Sequence, residues 1–278
     1  VRIIFQCPTS DLLKKDPDLA LSYRTLWISD LHLGTEASRA NELLDFLAEA
    51  KAERIYLVGD IIDLQRMKSR PMFPDTHMRV IAELMRLANR GTEVIFIPGN
   101  HDFEFRNLVG REIAGIPILL EGSHMTPTGQ KLLIMHGDVL DGRIRVGTDL
   151  EKFGAAAYFL LSEADVLYNR LRERLGHDYM PIGAAIKRRL KSAREYIERY
   201  EIAAADYALE RGFDGVVCGH IHKPCIRNIG GAIYANDGDW VEHRTALAES
   251  SDGTLQILNW QLDTIEVKAL DPALAPAA

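Results

Sequence analysis

In LWISDLHLG, Asp30 and His32 stand two positions apart at the end of an apolar run. The arrangement recurs: RIYLVGD ends on Asp60, EVIFIPGNHD on Asn100, His101 and Asp102, KLLIMHGD on His136, and GVVCGHIH on His220 and His222. Imidazole, carboxylate and amide oxygen, with no thiolate among them, form a donor set that suits Mn²⁺, Fe or Zn²⁺. Singly, each piece has a plainer reading. An Asp-x-His pair is more often a turn or cap, Asp60 could cap a helix, Asn100 could sit in a turn, and His136 could be a satisfied core histidine. Jointly the plain readings fail, because five of the chain's nine histidines fall in these five short motifs.

The elements that must carry these residues read as an alternation. TLWIS (25–29), RIYLVG (54–59) and EVIFIPG (93–99) are short apolar runs of the kind found in strands buried on both faces. NELLDFLAEA (41–50) and MRVIAELMRLANRG (78–91) have helical spacing, the second stopped by Gly91, which makes a βαβαβ start. KLLIMHG (131–137) and GVVCGH (215–220) are further strands. IRNIG, AIYAN, TALAE, TLQILNW and IEVKAL follow at turn-punctuated intervals that look antiparallel. A helical pattern fills 149–211, between KLLIMHG and GVVCGH. Each apolar strand delivers its polar residues at its carboxyl end, the edge of an open α/β sheet where sites are built.

Length and composition bound the reading. A chain of 278 residues, 47% hydrophobic and 26% charged, is expected to form one domain over 1–278 with 149–211 as a helical insertion. A net charge of −7 argues against duplex nucleic acid as a partner. The three cysteines, Cys7, Cys218 and Cys225, show no zinc-site pairing and no disulfide framework, which fits a reducing cytoplasm. No apolar run reaches the length of a membrane span, so any membrane contact is expected to be peripheral. Oligomeric state is not legible.

Taken in order, SDLHLG, GDIID, GNHD, HGD and GHIH resemble the calcineurin-like metallophosphoesterase family over about 25–245. The resemblance implies an α/β fold, a two-sheet β-sandwich flanked by helices, carrying two divalent metal ions. It implies that Asp30, His32 and His222 hold one ion, Asn100, His136 and His220 hold the other, and Asp60 bridges them. Mn²⁺ is the expected metal, with Fe or Zn²⁺ as alternatives. Such a pair acidifies a shared hydroxide and clamps phosphate oxygens for in-line attack, so no serine or cysteine nucleophile is needed. His101 is then placed to stabilise or protonate the departing oxygen, with Asp102 orienting its ring. Asp138 and Asp239 are candidates for supporting the ligands from behind.

The helical insertion speaks to the substrate. Leu160, Ala164, Leu167, Leu171 and Leu175 form one apolar stripe, and Ile186, Leu190, Ala193 and Ile197 another. Such stripes are usually packing. KRRLKSAR (187–194) holds five basic residues and no acid, and Lys187, Lys191 and Arg194 would share one helical face, either solvated or set against an anionic headgroup. The insertion, followed by GDWVEHRTALAE, is similar to the UDP-2,3-diacylglucosamine pyrophosphohydrolase branch of the family. That branch implies a nucleotide-linked lipid substrate cleaved at the inner membrane face. Its archetypal members have Arg where this chain has His101. A soluble nucleotide or cyclic-nucleotide phosphodiesterase is the alternative enzyme, and a non-catalytic scaffold on the same fold the alternative without chemistry.

Overall fold

The computed structural model describes residues 11–14, 21–144, 172, 191–261 and 264–269. The large sheet holds seven strands: β1 (Asp11–Lys14), β2 (Leu21–Ile28), β3 (Ala50–Val58), β4 (Glu93–Ile97), β12 (Thr245–Glu249), β13 (Leu255–Gln261) and β14 (Thr264–Ala269), in the order β1-β14-β13-β12-β2-β3-β4. The small sheet holds β7 (Gly122–Met125), β8 (Lys131–Ile134), β9 (Gly215–Cys218), β10 (Cys225–Ile229) and β11 (Ala232–Asn236), in the order β10-β11-β9-β8-β7. A two-residue pair, β5 (Glu112–Ile113) and β6 (Ile116–Pro117), stands apart. Helices α1 (Ala40–Glu49), α2 (Leu64–Ser69), α3 (Asp75–Asn89) and α4 (Lys191–Glu210) complete the described elements.

The period-2 alternation of a strand explains why these runs are apolar at every position. Leu26 and Ile28, Ile55 and Leu57, and Val94 and Phe96 face the layer containing α1 and α3. Their neighbours Trp27, Tyr56, Val58, Ile95 and Ile97 face the other sheet, where they meet Leu132, Ile134, Val217, Ile233 and Ala235. On the far side of the small sheet, Leu133, Val216, Cys218 and Tyr234 pack under α4 through Tyr200, Ala204 and Ala208. The sandwich expected from the sequence is therefore the fold.

Three details differ from the sequence reading. The C-terminal segments are not uniformly antiparallel: β11 pairs parallel with β9, because β10 forms a hairpin with β11 and takes the sheet edge itself. The strands are also shorter than their apolar runs, with β4 ending at Ile97, β8 at Ile134 and β9 at Cys218, so the polar motifs lie in turns beyond the ladders. Finally, α4 supplies the last third of the expected helical insertion, while the first apolar stripe, Ile186, Leu190 and Lys187 lie outside the described residues. Ile197 packs on the cluster beneath α4, so the end of the second stripe is packing. Lys191 opens α4, and Arg194 is exposed on it.

Candidate metal centre

Strands β2, β3 and β4 are mutually parallel, as are β8 and β9, so the five motifs emerge from the carboxyl ends of parallel strands. The first two loops zip together beyond the ladder: Asp30 N–H donates to Gly59 O (3.0 Å), His32 N–H to Asp60 O (2.9 Å) and Leu33 N–H to Ile61 O (2.9 Å). Leu31 and Leu33 are buried, and Asp30 and His32 turn between them toward the second loop. The turns are left-handed. Among the described residues seven non-glycine residues have positive φ, and five are Asp30, His32, Asp60, His220 and His222. Such backbone costs on the order of 1 kcal/mol or more per residue and clusters where side-chain placement outweighs local preference.

Asp60 is the hub. His101 N–H donates to its Oδ1 (2.7 Å), while its Oδ2 lies 3.5 Å from His136 Nε2, 3.8 Å from His32 Nε2 and 4.0 Å from His101 Nε2. Asp30 Oδ1 lies 3.1 Å from His222 Nε2 and 3.8 Å from His32 Nε2. His136 donates from Nδ1 to Val58 O (2.9 Å), which turns Nε2 toward Asp60 and, at 3.2 Å, toward Asn100 Oδ1. Ligand-bearing atoms of Asp30, His32 and His222, of His32, Asp60 and His101, and of Asp30, Asp60 and His136 fall into groups spanning no more than 4.8 Å. Two of these buried atoms, Asp30 Oδ1 and His32 Nε2, accept or donate no hydrogen bond of sound geometry. A divalent cation would satisfy both, and the donor set suits it.

The expected ligands are thus brought together, with one difference. His220 turns Nε2 onto Asp141 (3.1 and 3.2 Å), although its ring is 5.2 Å from that of His136. Its neighbouring backbone is still part of the site, since His220 N–H donates to Asp30 Oδ2 (3.0 Å).

The assignment of Asp102 to the His101 ring is corrected. Asp102 is fully buried and spends its oxygens on backbone, accepting from Gly99 N–H (2.6 Å) and from Ile61 and Ile62 N–H (2.7 and 3.4 Å). It staples the GNHD turn to the GDIID turn. The carboxylate beside the His101 ring is instead that of Asp63, whose Oδ2 is in ion-pair contact with His101 Nδ1 at 3.0 Å and hydrogen-bonded to His32 Nδ1 at 3.0 Å. The sequence does not single out Asp63 in GDIID, because only its helix-capping role, accepting from Arg66 N–H at 2.7 Å, is local in sequence. Nor does it single out Ser29, which donates to Asp30 Oδ2 (2.5 Å) and stands 2.7 Å from Asp237 Oδ1. Burial, reinforced by the Asp30 charge, pushes Asp237 well above the usual carboxylate range. Asp138 receives Arg106 (2.7 Å), and Asp239 holds His243 Nδ1 (2.6 Å) and the N–H groups of the turn after it.

Close approach explains one glycine. A Cβ on Gly59, whose φ is +87°, would run into the His136 imidazole. Gly59→Ala should cost about 2–4 kcal/mol, from left-handed strain plus overpacking, and should displace His136. Thermal melting of the metal-free protein together with metal stoichiometry checks this; a melt and stoichiometry equal to the parent's would count against the packing described.

Electrostatics favour charged partners. Burial would raise Asp60, but the imidazoles of His136, His32 and His101 hold it well below the usual range. Burial would likewise lower His222, but Asp30 pushes it up to about 9; against the same effect of burial, Asp60 holds His136 well above the ordinary imidazole range. An imidazole raised in this way is protonated at neutral pH in the metal-free protein and must lose that proton to bind a cation. Metal affinity should therefore rise with pH, about tenfold per unit for each proton released, until His222 titrates near 9. Calorimetry in buffers of different ionisation enthalpy reads the protons directly, and uptake without proton release would sink the idea.

The calcineurin-like phosphoesterase family model matches residues 23–224. The chain is 30% identical over 247 residues to a UDP-2,3-diacylglucosamine hydrolase of Xanthomonas campestris, covering 82% of this chain and 96% of that one. It is 28% identical over 255 residues to the UDP-2,3-diacylglucosamine hydrolase of Edwardsiella ictaluri, covering 82% and 89%. Among solved structures, the E. coli phosphoesterase Yfce aligns over 88% of this chain and 99% of its own, with a TM-score of 0.48 and 15% identity.

Proposed function

Because the chain belongs to the calcineurin-like phosphoesterase family and its relatives are named hydrolases, we propose that it cleaves the pyrophosphate of a UDP-diacylglucosamine-like, lipid-linked substrate at a site for two divalent ions. The observation that carries the two-ion site is Asp60 Oδ2, toward which the Nε2 atoms of His136, His32 and His101 converge. The substrate class is supported by relatives of that name over 82% of the chain.

Asp30, His32 and His222 would hold one ion, Asn100, His136 and His220 the other, with Asp60 between them. The ions would supply Lewis acidity toward phosphate oxygens and an acidified water. The rest is the work of the chain. His136 keeps its proton on Nδ1, bound to Val58 O, so that Nε2 presents a lone pair. Asp63 aligns His32 and His101 together. His101, more exposed than its neighbours, is raised above the ordinary imidazole range because Asp63 and Asp60 outweigh burial, which favours the protonated ring that would give its Nε2 proton to the departing phosphate oxygen. Lys187, Lys191 and Arg194 would meet the phosphate-bearing headgroup or an anionic membrane surface. No helix among the described residues is long and apolar enough to cross a membrane.

His101 in place of the Arg of archetypal lipid-branch members favours a second reading, a nucleotide or cyclic-nucleotide phosphodiesterase. Mn²⁺-loaded protein assayed against UDP-diacylglucosamine in detergent, other phospholipids, and nucleotides separates the two. Preferred turnover of the lipid-linked pyrophosphate supports the proposal; preferred turnover of free nucleotides without lipid overturns it.

A further inference from the structure

Asp141 lies five residues past His136 and is not part of the five motifs, yet both its oxygens face His220 Nε2, at 3.2 and 3.1 Å. Its Oδ1 also accepts the Tyr196 hydroxyl (2.8 Å) from α4. One turn further along the same helix, the Tyr200 ring is 6.0 Å from that of His220, and its hydroxyl occupies the space a Cβ on Gly137 would need. Residues four apart share a helix face, so α4 presents both tyrosines to the HGD turn and to His220. A carboxylate can only accept, so the Nε2 that faces it carries the proton and the ring's lone pair is left on Nδ1.

The energetics separate two roles for this contact. The Asp141 side chain is half exposed, and an exposed ion pair contributes little to folding. A carboxylate that orients a metal-binding histidine is worth far more to the metal, about 10- to 100-fold in affinity. Nothing about core packing requires Asp141 where it is; the orientation of His220 does.

We propose that Asp141 is a positioning residue for His220, and that Tyr196 locks Asp141, tying helix α4 to the position of one ion. This rests on the paired-ion reading given above. It makes α4, at the end of the chain segment between the HGD and GHIH motifs, a mechanical support of the metal centre as well as a cover for the small sheet.

The test is titration of metal-free protein with Mn²⁺, followed through the paramagnetic resonance signal of the free ion, with melting temperatures of the metal-free proteins measured alongside. In Asp141→Ala the first ion should bind as in the parent and the second 10- to 100-fold more weakly, with little change in melting. Asp141→Asn keeps an acceptor oxygen and should restore part of the loss. Tyr196→Phe should weaken the second ion by a smaller factor. Parental affinity for both ions in Asp141→Ala overturns the proposal while leaving the paired-ion reading in place. Equal weakening of both ions with a fallen melting temperature also overturns it, since that marks a structural role. A parent protein that takes up a single ion overturns both.

Discussion

Asp60→Ala is expected to empty both ion positions and to lower phosphoester hydrolysis by roughly 10³-fold or more, since metal stabilisation of the transition state is worth several kcal/mol. No other side chain in the site has this reach. Asp60 Oδ2 lies within 4.0 Å of three imidazole nitrogens, and Oδ1 holds the GNHD turn through His101 N–H. Removing the carboxylate also takes away the largest of the charges that raise His136. His222→Ala is the contrast, because His222 faces Asp30 and should cost only one ion. Metal analysis of the two purified variants makes the comparison. Two ions per chain in Asp60→Ala would remove Asp60 from the centre of the site.

His101→Ala should separate proton transfer from metal binding. It is expected to keep both ions, because Asp60 retains its other imidazole partners, while hydrolysis of a substrate with a poor leaving group falls roughly 10²- to 10⁴-fold. An activated aryl phosphate, whose leaving oxygen needs no proton, should lose much less. Asp63→Asn should reproduce part of this loss and shift the pH at which activity falls, because Asp63 is the carboxylate 3.0 Å from His101 Nδ1. Asp102→Asn should act on stability and leave the leaving-group dependence unchanged, since its oxygens bind backbone N–H groups. Equal losses on both substrates for His101→Ala would mean that His101 positions the substrate and moves no proton.

Much of the molecule follows from the sequence alone. Strands buried on both faces must be apolar at every position, so Leu26–Ile28, Ile55–Val58 and Val94–Ile97 are unmistakable, and the polar residues that end such runs can only lie at the sheet edge. That local logic put Asp30, His32, Asp60, Asn100, His136 and His222 at strand ends, and the order of their motifs, through its resemblance to the family, implied the sandwich and a shared site. Tertiary structure decided what depends on approach between segments distant in the chain. Whether Asp102 or Asp63 faces the His101 ring turns on how two loops pack, and Asp102 is drawn away by N–H groups of the GDIID turn, 41 residues earlier. The Asp141 contact with His220 spans 79 residues, and the parallel pairing of β11 with β9 depends on a hairpin that places β10 at the edge. The physical reason is the range of the forces. Burial and backbone geometry act along each segment and leave a pattern in residue types, whereas a hydrogen bond selects among several equally plausible carboxylates by tenths of an ångström.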